Sequence, residues 1–342
     1  MGTWAETAPA PTPAEKKPLI GGFKTFGERL EGERDERLAM QGRTLSFGVA
    51  FLDKALGGIF PHDLVLLGAK TGAGKTALAS LIAITNALQG KRVHYFALEA
   101  EAREIERRMK FSQLCKLVAR NSASFENRKR LNFLEWYRGK SEDITEPYEK
   151  HVNDTLGKAF STLKTFYREA DFYADHFDQM ATEIQGETDL VVLDHLHYVD
   201  SEDSNEGRGV KQIVKRVRDV ALRIGKPVVM VAHVRKSDRR NPRIVPDLED
   251  FMGTSDIPKI ATKAVMIAPA FDQPSDDPCL WPTYLHPAKC RFDGTRTRFV
   301  GLTTFDVRTG TYSEEFELGR VSGAGDKFEI VENSKTPEWA KP

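Results

Sequence analysis

Residues 64–85 read LVLLGAKTGAGKTALASLIAIT, and this stretch decides the fold. Leu64–Leu67 is an apolar run of strand length, and Thr76–Thr85 carries apolar residues at helical spacing. Between them lies a glycine-rich loop ending in Lys75-Thr76. Strand, loop, Lys-Thr and helix in that order form a phosphate-binding loop. The glycines let backbone amides turn inward around the phosphates, Lys75 reaches the β- and γ-phosphates, and the Thr76 hydroxyl ligates magnesium. The expected nucleotide contacts are therefore Ala69, Gly72, Ala73, Gly74, Lys75, Thr76 and Ala77, and the expected cofactors are ATP and Mg²⁺. Ala69 stands where the strict pattern has glycine. A chance glycine turn with one lysine would not come with a strand and a helix in register.

A site of this kind needs a second oxygen donor for magnesium, delivered by another strand. Leu190-Val191-Val192-Leu193-Asp194 supplies it: four apolar residues carry one carboxylate to the carboxyl edge of a sheet, where α/β proteins bind ligands. The expected metal ligands are Thr76 and Asp194. Glu99 follows the apolar run Val93–Leu98 and is placed to polarise a water for attack on the γ-phosphate. Spacing alone leaves a solvated acidic face equally open there, because Glu101, Glu104 and Glu106 follow.

Further strands are expected at Pro227–Ala232, Ala264–Ile267 and Phe299–Phe305, alternating with helical patterns, which signals an α/β fold with a mostly parallel central sheet. Val210, Ile213, Val214, Val217, Ala221 and Ile224 fall on one helical face, with Gly225 as the stop. The charged, aromatic stretch from about 110 to 185 predicts several helices inserted before the Asp194 strand. Residues 1–22 are expected as a disordered tail, 23–43 as a charged linker helix weakened by Gly27 and Gly32, 44–318 as the ATPase domain and 319–342 as a flexible tail.

The 342 residues carry 50 basic and 50 acidic side chains, so no whole-molecule positive field drives nucleic-acid binding, and any such binding needs a local patch. Cys115, Cys279 and Cys290 are scattered, which excludes a disulfide framework and fits a reducing cytoplasm. No stretch approaches the roughly 18 apolar residues of a membrane span, and the amino terminus lacks the apolar core of a signal peptide. His195 and His197 invite a metal reading, but their i, i+2 spacing and the want of a third neighbouring ligand argue against zinc.

Taken in order, the motifs resemble one family. Residues 44–83 (TLSFGVAFLDKALGGIFPHDLVLLGAKTGAGKTALASLIA) are similar to the opening of the ATPase domain of DnaB-type replicative helicases and their RecA/KaiC-like relatives. Residues 95–109 (YFALEAEAREIERRM) resemble the next motif, which implies Glu99 as general base. Asp194-His195-Leu196-His197 resembles the family's D-Y-L-Q magnesium segment, and Val228–Lys236 (VVMVAHVRK) resembles V-V-x-L-S-Q-L-N-R. The second match puts His233 where a γ-phosphate-sensing Gln sits, although an ordinary strand-end histidine fits the position too. Ala288–Gly294 (AKCRFDG) resembles A-K-Q-R-N-G, whose Lys and Arg reach a neighbouring subunit's γ-phosphate, which implies that role for Lys289 and Arg291. The resemblance covers about residues 44–312. It implies a RecA-like P-loop core, ATP hydrolysis between subunits of a hexameric ring, and movement on single-stranded DNA. This sequence shows neither the family's helical amino-terminal domain nor a primase segment.

Arg235–Arg243 holds Arg235, Lys236, Arg239, Arg240 and Arg243, five cations in nine residues, and is the expected DNA-binding loop, with a solvated basic loop as the alternative. Asp200–Gly209 (DSEDSNEGRG) is acidic apart from Arg208 and would repel a phosphate backbone. The leading expectation is an ATP-driven ring translocase or helicase. Its alternatives are a KaiC-like regulatory ATPase that assembles on protein partners and a recombination mediator that binds DNA without unwinding it.

Overall fold

The computed structural model describes residues 23–121, 130–201, 203–235, 243–253 and 256–341. Among them, ten strands form one sheet in the order β10-β9-β8-β7-β6-β1-β5-β4-β2-β3. The strands are β1 (Leu64–Ala69), β2 (Val93–Ala97), β3 (Leu163–Tyr167), β4 (Leu190–Asp194), β5 (Val228–His233), β6 (Lys263–Pro269), β7 (Leu280–Cys290), β8 (Val300–Asp306), β9 (Thr311–Val321) and β10 (Phe328–Ile330). The first six run parallel, and β7 to β10 continue the sheet antiparallel.

Every residue of β1, β2 and β4 is buried, as parallel strands covered on both faces require. Each fully buried Leu or Val contributes about 1.5–3 kcal/mol relative to exposure. One face of the sheet packs on the helix Lys75–Leu88, with Leu78, Ile82 and Ala83 against Val65, Leu67 and Val192. The other packs on the helix Glu206–Ile224, whose Val210, Ile213, Val214, Val217, Ala221 and Ile224 are all buried as their spacing predicts, and which ends at Gly225.

The insertion before β4 contains helices at Glu104–Asn121, Phe133–Tyr137, Glu142–Ala159 and Ala174–Glu183. Phe111, Cys115, Val118, Leu131 and Ile144 give it a small core of its own. It also contains β3, which the sequence does not announce, because LKTFY is an edge strand that is only half buried and shows no apolar run.

β7 is likewise not legible in the sequence. Pro282 and Pro287 interrupt it, and proline normally argues against an interior strand. Pro287 falls where the β6–β7 register shifts between Ala264 and Met266, a bulge that needs no ladder donor from it. Pro282 still uses its carbonyl, accepting from the Ala270 amide at 2.8 Å.

The flexible tail expected from 319 is corrected. β9 runs on to Val321, β10 pairs back on it, and Ala340 is buried. Trp339 packs on Phe51 and Phe299 with ring centroids 6.4 and 5.7 Å apart. Few apolar anchors spread over a charged, Pro-containing segment leave no periodicity to read, yet each finds a hydrophobic surface built by earlier chain.

The amino-terminal unit, up to residue 41, carries a short helix at Phe26–Leu30 and the start of a second, Glu33–Arg43. Gly32, at a φ of 78°, separates them. Thr25 and Glu28 close a capping box on the first, and Phe23, Phe26, Leu30 and Leu38 are exposed. Residues 1–22 and part of the expected DNA loop lie outside the described residues. No helix among the described residues is long and apolar enough to cross a membrane.

Candidate nucleotide site

Parallel strands all present their carboxyl ends at one edge, and here β1, β5, β4 and β2 are consecutive neighbours. Four segments distant in sequence therefore meet. The register pairs Ala69 with His233 and Ala97 with Asp194, so Lys75, Thr76, Glu99, Asp194 and His233 surround one space. That space is a cavity of about 540 Å³ reaching from the phosphate loop to Trp281, Phe305 and Arg308.

Gly72 and Gly74 hold φ values of 79° and 91°, which only glycine adopts without strain, and a Cβ on Gly72 would meet nothing within 4 Å. Left-handed glycines of this kind are what a phosphate cradle uses to turn its backbone. Gly72, Gly74, Lys75, Thr76 and Ala77 line the cavity. Ala69 is fully buried in β1, and Ala73 lines a smaller cavity beside Lys70 and Arg243.

Lys75 is 6 % exposed and donates to the Ala69 and Lys70 carbonyls at 3.2 and 3.1 Å. Burial lowers its pKa, while Glu99 and Asp194 oppose that shift. Asp194 is 3 % exposed, and its Oδ1 has no hydrogen-bond partner. Its Oδ2 accepts from the Tyr95 hydroxyl at 2.7 Å. Sequence reasoning missed Tyr95, though a tyrosine inside a wholly buried strand signals a buried hydroxyl in need of a partner. The Thr76 hydroxyl also bonds Asp194. A hydroxyl and a carboxylate with an unpartnered oxygen form the hard oxygen donor set that magnesium takes, so the residues fit that ion.

Burial pushes the Asp194 carboxyl up to about 6, and Glu99 adds to the shift against the Tyr95 and Thr76 bonds and the Lys75 charge. A raised carboxylate pKa means that the fold prefers the protonated form. That contribution is fully present below the ordinary value and is lost as pH rises through about 6. Two outcomes are expected. The nucleotide-free protein should be more resistant to heat at pH 5 than at pH 7 by a margin that Asp194→Asn removes, measured as the difference in Tm between the two chains. Magnesium-dependent kcat/KM for ATP should climb through pH 6 and level off above it, as the carboxylate becomes free to hold the ion.

Next to Asp194, three histidines converge. The His195 and His233 ring centroids lie 4.0 Å apart, and His197 is 5.3 and 5.5 Å from the two. His195 Nε2, His197 Nε2 and His233 Nδ1 are buried without hydrogen-bond partners. Burial holds His195 down to about 2 and His197 down to about 4, with the charges of His233 and Lys75 adding in both, so both rings are neutral at pH 7. The expectation that no third ligand stands near His195 is corrected: Glu99 and His233 come from separate segments, and sequence spacing could not place them together.

Lys289 and Arg291 lie at the opposite edge. Lys289, near the end of β7, sits across from Ala264, and the Arg291 amide bonds the Thr262 carbonyl, beside the start of β1. From Leu64 to Ala69 is five residues, roughly 16 Å along the strand at about 3.3 Å each. Lys289 donates to the Pro258 and Lys259 carbonyls, Cys290 is buried, and Arg291 is exposed. Arg218, not singled out from sequence, joins them and donates to the His62 carbonyl. Burial first, and then the Arg291 charge, lower the pKa of Arg218, and the same order holds for Lys289.

Of the expected DNA-binding residues, Arg235 and Arg243 are described and exposed, and Arg243 pairs with Asp247 at 3.1 Å. Lys236, Arg239 and Arg240 lie outside the described residues.

The family model of the DnaB-like helicase C terminal domain matches residues 44–272. The chain belongs to that family. Among solved structures, it is similar to one described as an ATPase domain, at 17% identity with a TM-score of 0.63, covering 86% of this chain and 100% of that one. It is similar, again at 17% identity and a TM-score of 0.63, to a structure described as a DnaB-like replicative helicase and its interactions with primase, covering 85% of this chain and 67% of that one. At these identities the likeness establishes the RecA-like fold of this DnaB-family domain. No curated protein matches the chain in sequence.

Proposed function

We propose that this DnaB-family chain hydrolyses ATP at interfaces between copies of itself in a ring, and uses the turnover to move on single-stranded DNA. The observation that carries the reading is the division of the site between two edges of the sheet. Lys75, Thr76, Glu99 and Asp194 meet at the carboxyl edge, and the Lys289, Arg291 and Arg218 cations sit at the amino edge, too far to serve the same chain's phosphates.

In this reading the loop amides and Lys75 hold the β- and γ-phosphates. Thr76 and Asp194 hold magnesium, which when bound neutralises phosphate charge. Glu99 accepts a proton from the attacking water. His233, on the strand beside the phosphate loop, faces the γ-phosphate position. The flank of the cavity formed by Trp281, Phe305 and Arg308 offers an apolar and cationic surface to a base. Lys289 and Arg291 complete the next subunit's site.

The KaiC-like reading, assembly on protein rather than DNA, draws support from the acidic 200–209 segment, where Asp200 and Asp203 are fixed by bonds to Phe172, Asn205 and Gln212. ATPase titration with oligonucleotide at two salt concentrations separates the two. The translocase reading expects stimulation by DNA of any sequence, because phosphate contacts carry no base information. It also expects Arg239→Ala with Arg240→Ala to weaken stimulation and to flatten the log–log salt slope by about 0.7 for each phosphate no longer neutralised. A flat wild-type response at low salt would give the regulatory reading the field.

A further inference from the structure

We propose that Glu99, His195 and His233 form a binding site for a divalent transition-metal ion of the zinc class, separate from the magnesium donors Thr76 and Asp194. One donor atom from each of the three side chains lies within 4.8 Å of the others. Zinc bonds of about 2.0–2.2 Å arranged tetrahedrally put donors roughly 3.3–3.5 Å apart, so modest side-chain rotations close the set on an ion. Two of the ring nitrogens, His195 Nε2 and His233 Nδ1, are buried and unpartnered, an arrangement that proteins seldom keep without use. Imidazole nitrogen selects zinc, copper, nickel or cobalt over magnesium, which takes oxygen.

The fourth position opens to the cavity. Glu99 is exposed there and gives an ion its route in, and His197, whose Nε2 is also unpartnered, stands one ring away. Coordination through His195 Nε2 puts the ring proton on Nδ1. The approach of the His197 amide to that nitrogen, 3.3 Å and so long for a hydrogen bond, is given up.

The consequence rests on the function proposed above. A metal held by Glu99 occupies the lone pair that would take the water proton, so zinc binding suppresses hydrolysis while magnesium stays in place.

The test uses the full chain without nucleotide, titrated with Co²⁺ in the presence of millimolar Mg²⁺ and followed by visible d–d absorption. One ion per chain is expected, displaced by Zn²⁺. His233→Gln and Glu99→Gln should each weaken binding by at least the about 10–100-fold typical of losing even an outer partner of a metal site. His233 is only partly buried and Glu99 is exposed, so these variants keep the test independent of the fully buried His195. No cobalt spectrum, or one unchanged in both variants, overturns the site. A parallel arm measures ATPase with and without micromolar Zn²⁺. Suppression of the wild type that a zinc chelator reverses at constant Mg²⁺ supports the regulatory role, and undiminished turnover in Zn²⁺-loaded chain overturns it. A chain that binds cobalt but hydrolyses no ATP would keep the metal site and remove the ATPase reading.

Discussion

Chains carrying Arg291→Ala are expected to lose about 10³–10⁵ of their ATP turnover, the range for a cation supplied to the transferring phosphoryl from another subunit. Arg291 lies at the amino edge of the sheet, roughly 16 Å of strand from its own phosphate loop. A loss of that size therefore has to arise in a neighbour. Mixing decides it: Arg291→Ala subunits have an intact loop and no cation, and Lys75→Ala subunits have the cation and no loop lysine. Each is expected to be inactive alone. Mixed rings should recover turnover at the interfaces that pair an intact loop with an intact Arg291, with a maximum at intermediate ratios. Oligomers shown to be mixed yet dead at every ratio would assign Arg291 to structure, where its neighbours Lys289 and Arg218 already bond backbone carbonyls.

The second large effect is at Glu99. Glu99→Gln removes the proton acceptor and leaves the phosphate contacts in place, so binding of ATP should persist while kcat falls about 10²–10⁴-fold. Glu99 and Asp194 line the same cavity as Lys75, whereas Glu101 does not. Glu101→Gln is accordingly expected to turn over normally. Single-turnover hydrolysis alongside binding of a fluorescent ATP analogue measures both. A dead Glu101→Gln with an active Glu99→Gln would move the base by one residue pair and out of the observed cavity.

Much of the site is readable because its largest part is contiguous. The run from Leu64 to Thr85 contains its own strand, its own two left-handed glycines and its own helix, so local conformation alone specifies the cradle. Asp194 is legible for a related reason: a wholly apolar strand can end in a buried carboxylate only where something holds it. The helix Glu206–Ile224 follows from a 3.6-residue period that never breaks. Where period and composition conflict with burial, the reading fails. β7 contains two prolines, β3 is an edge, and the segment after 318 looks polar but is pinned by Phe328 and Trp339.

The sequence by itself determined a glycine-rich loop, of the kind that cradles phosphate, at the head of the helix Lys75–Leu88, because those residues shape their own backbone. Only the tertiary structure decided what stands around that loop. The strand order β1-β5-β4-β2 brings His233, His195 and Glu99 to one point and Tyr95 under Asp194, and the antiparallel run of β7 carries Lys289 and Arg291 to the far edge. Such neighbours are set by which strands pair, and pairing is chosen by burial across the whole sheet rather than by any residue's immediate surroundings.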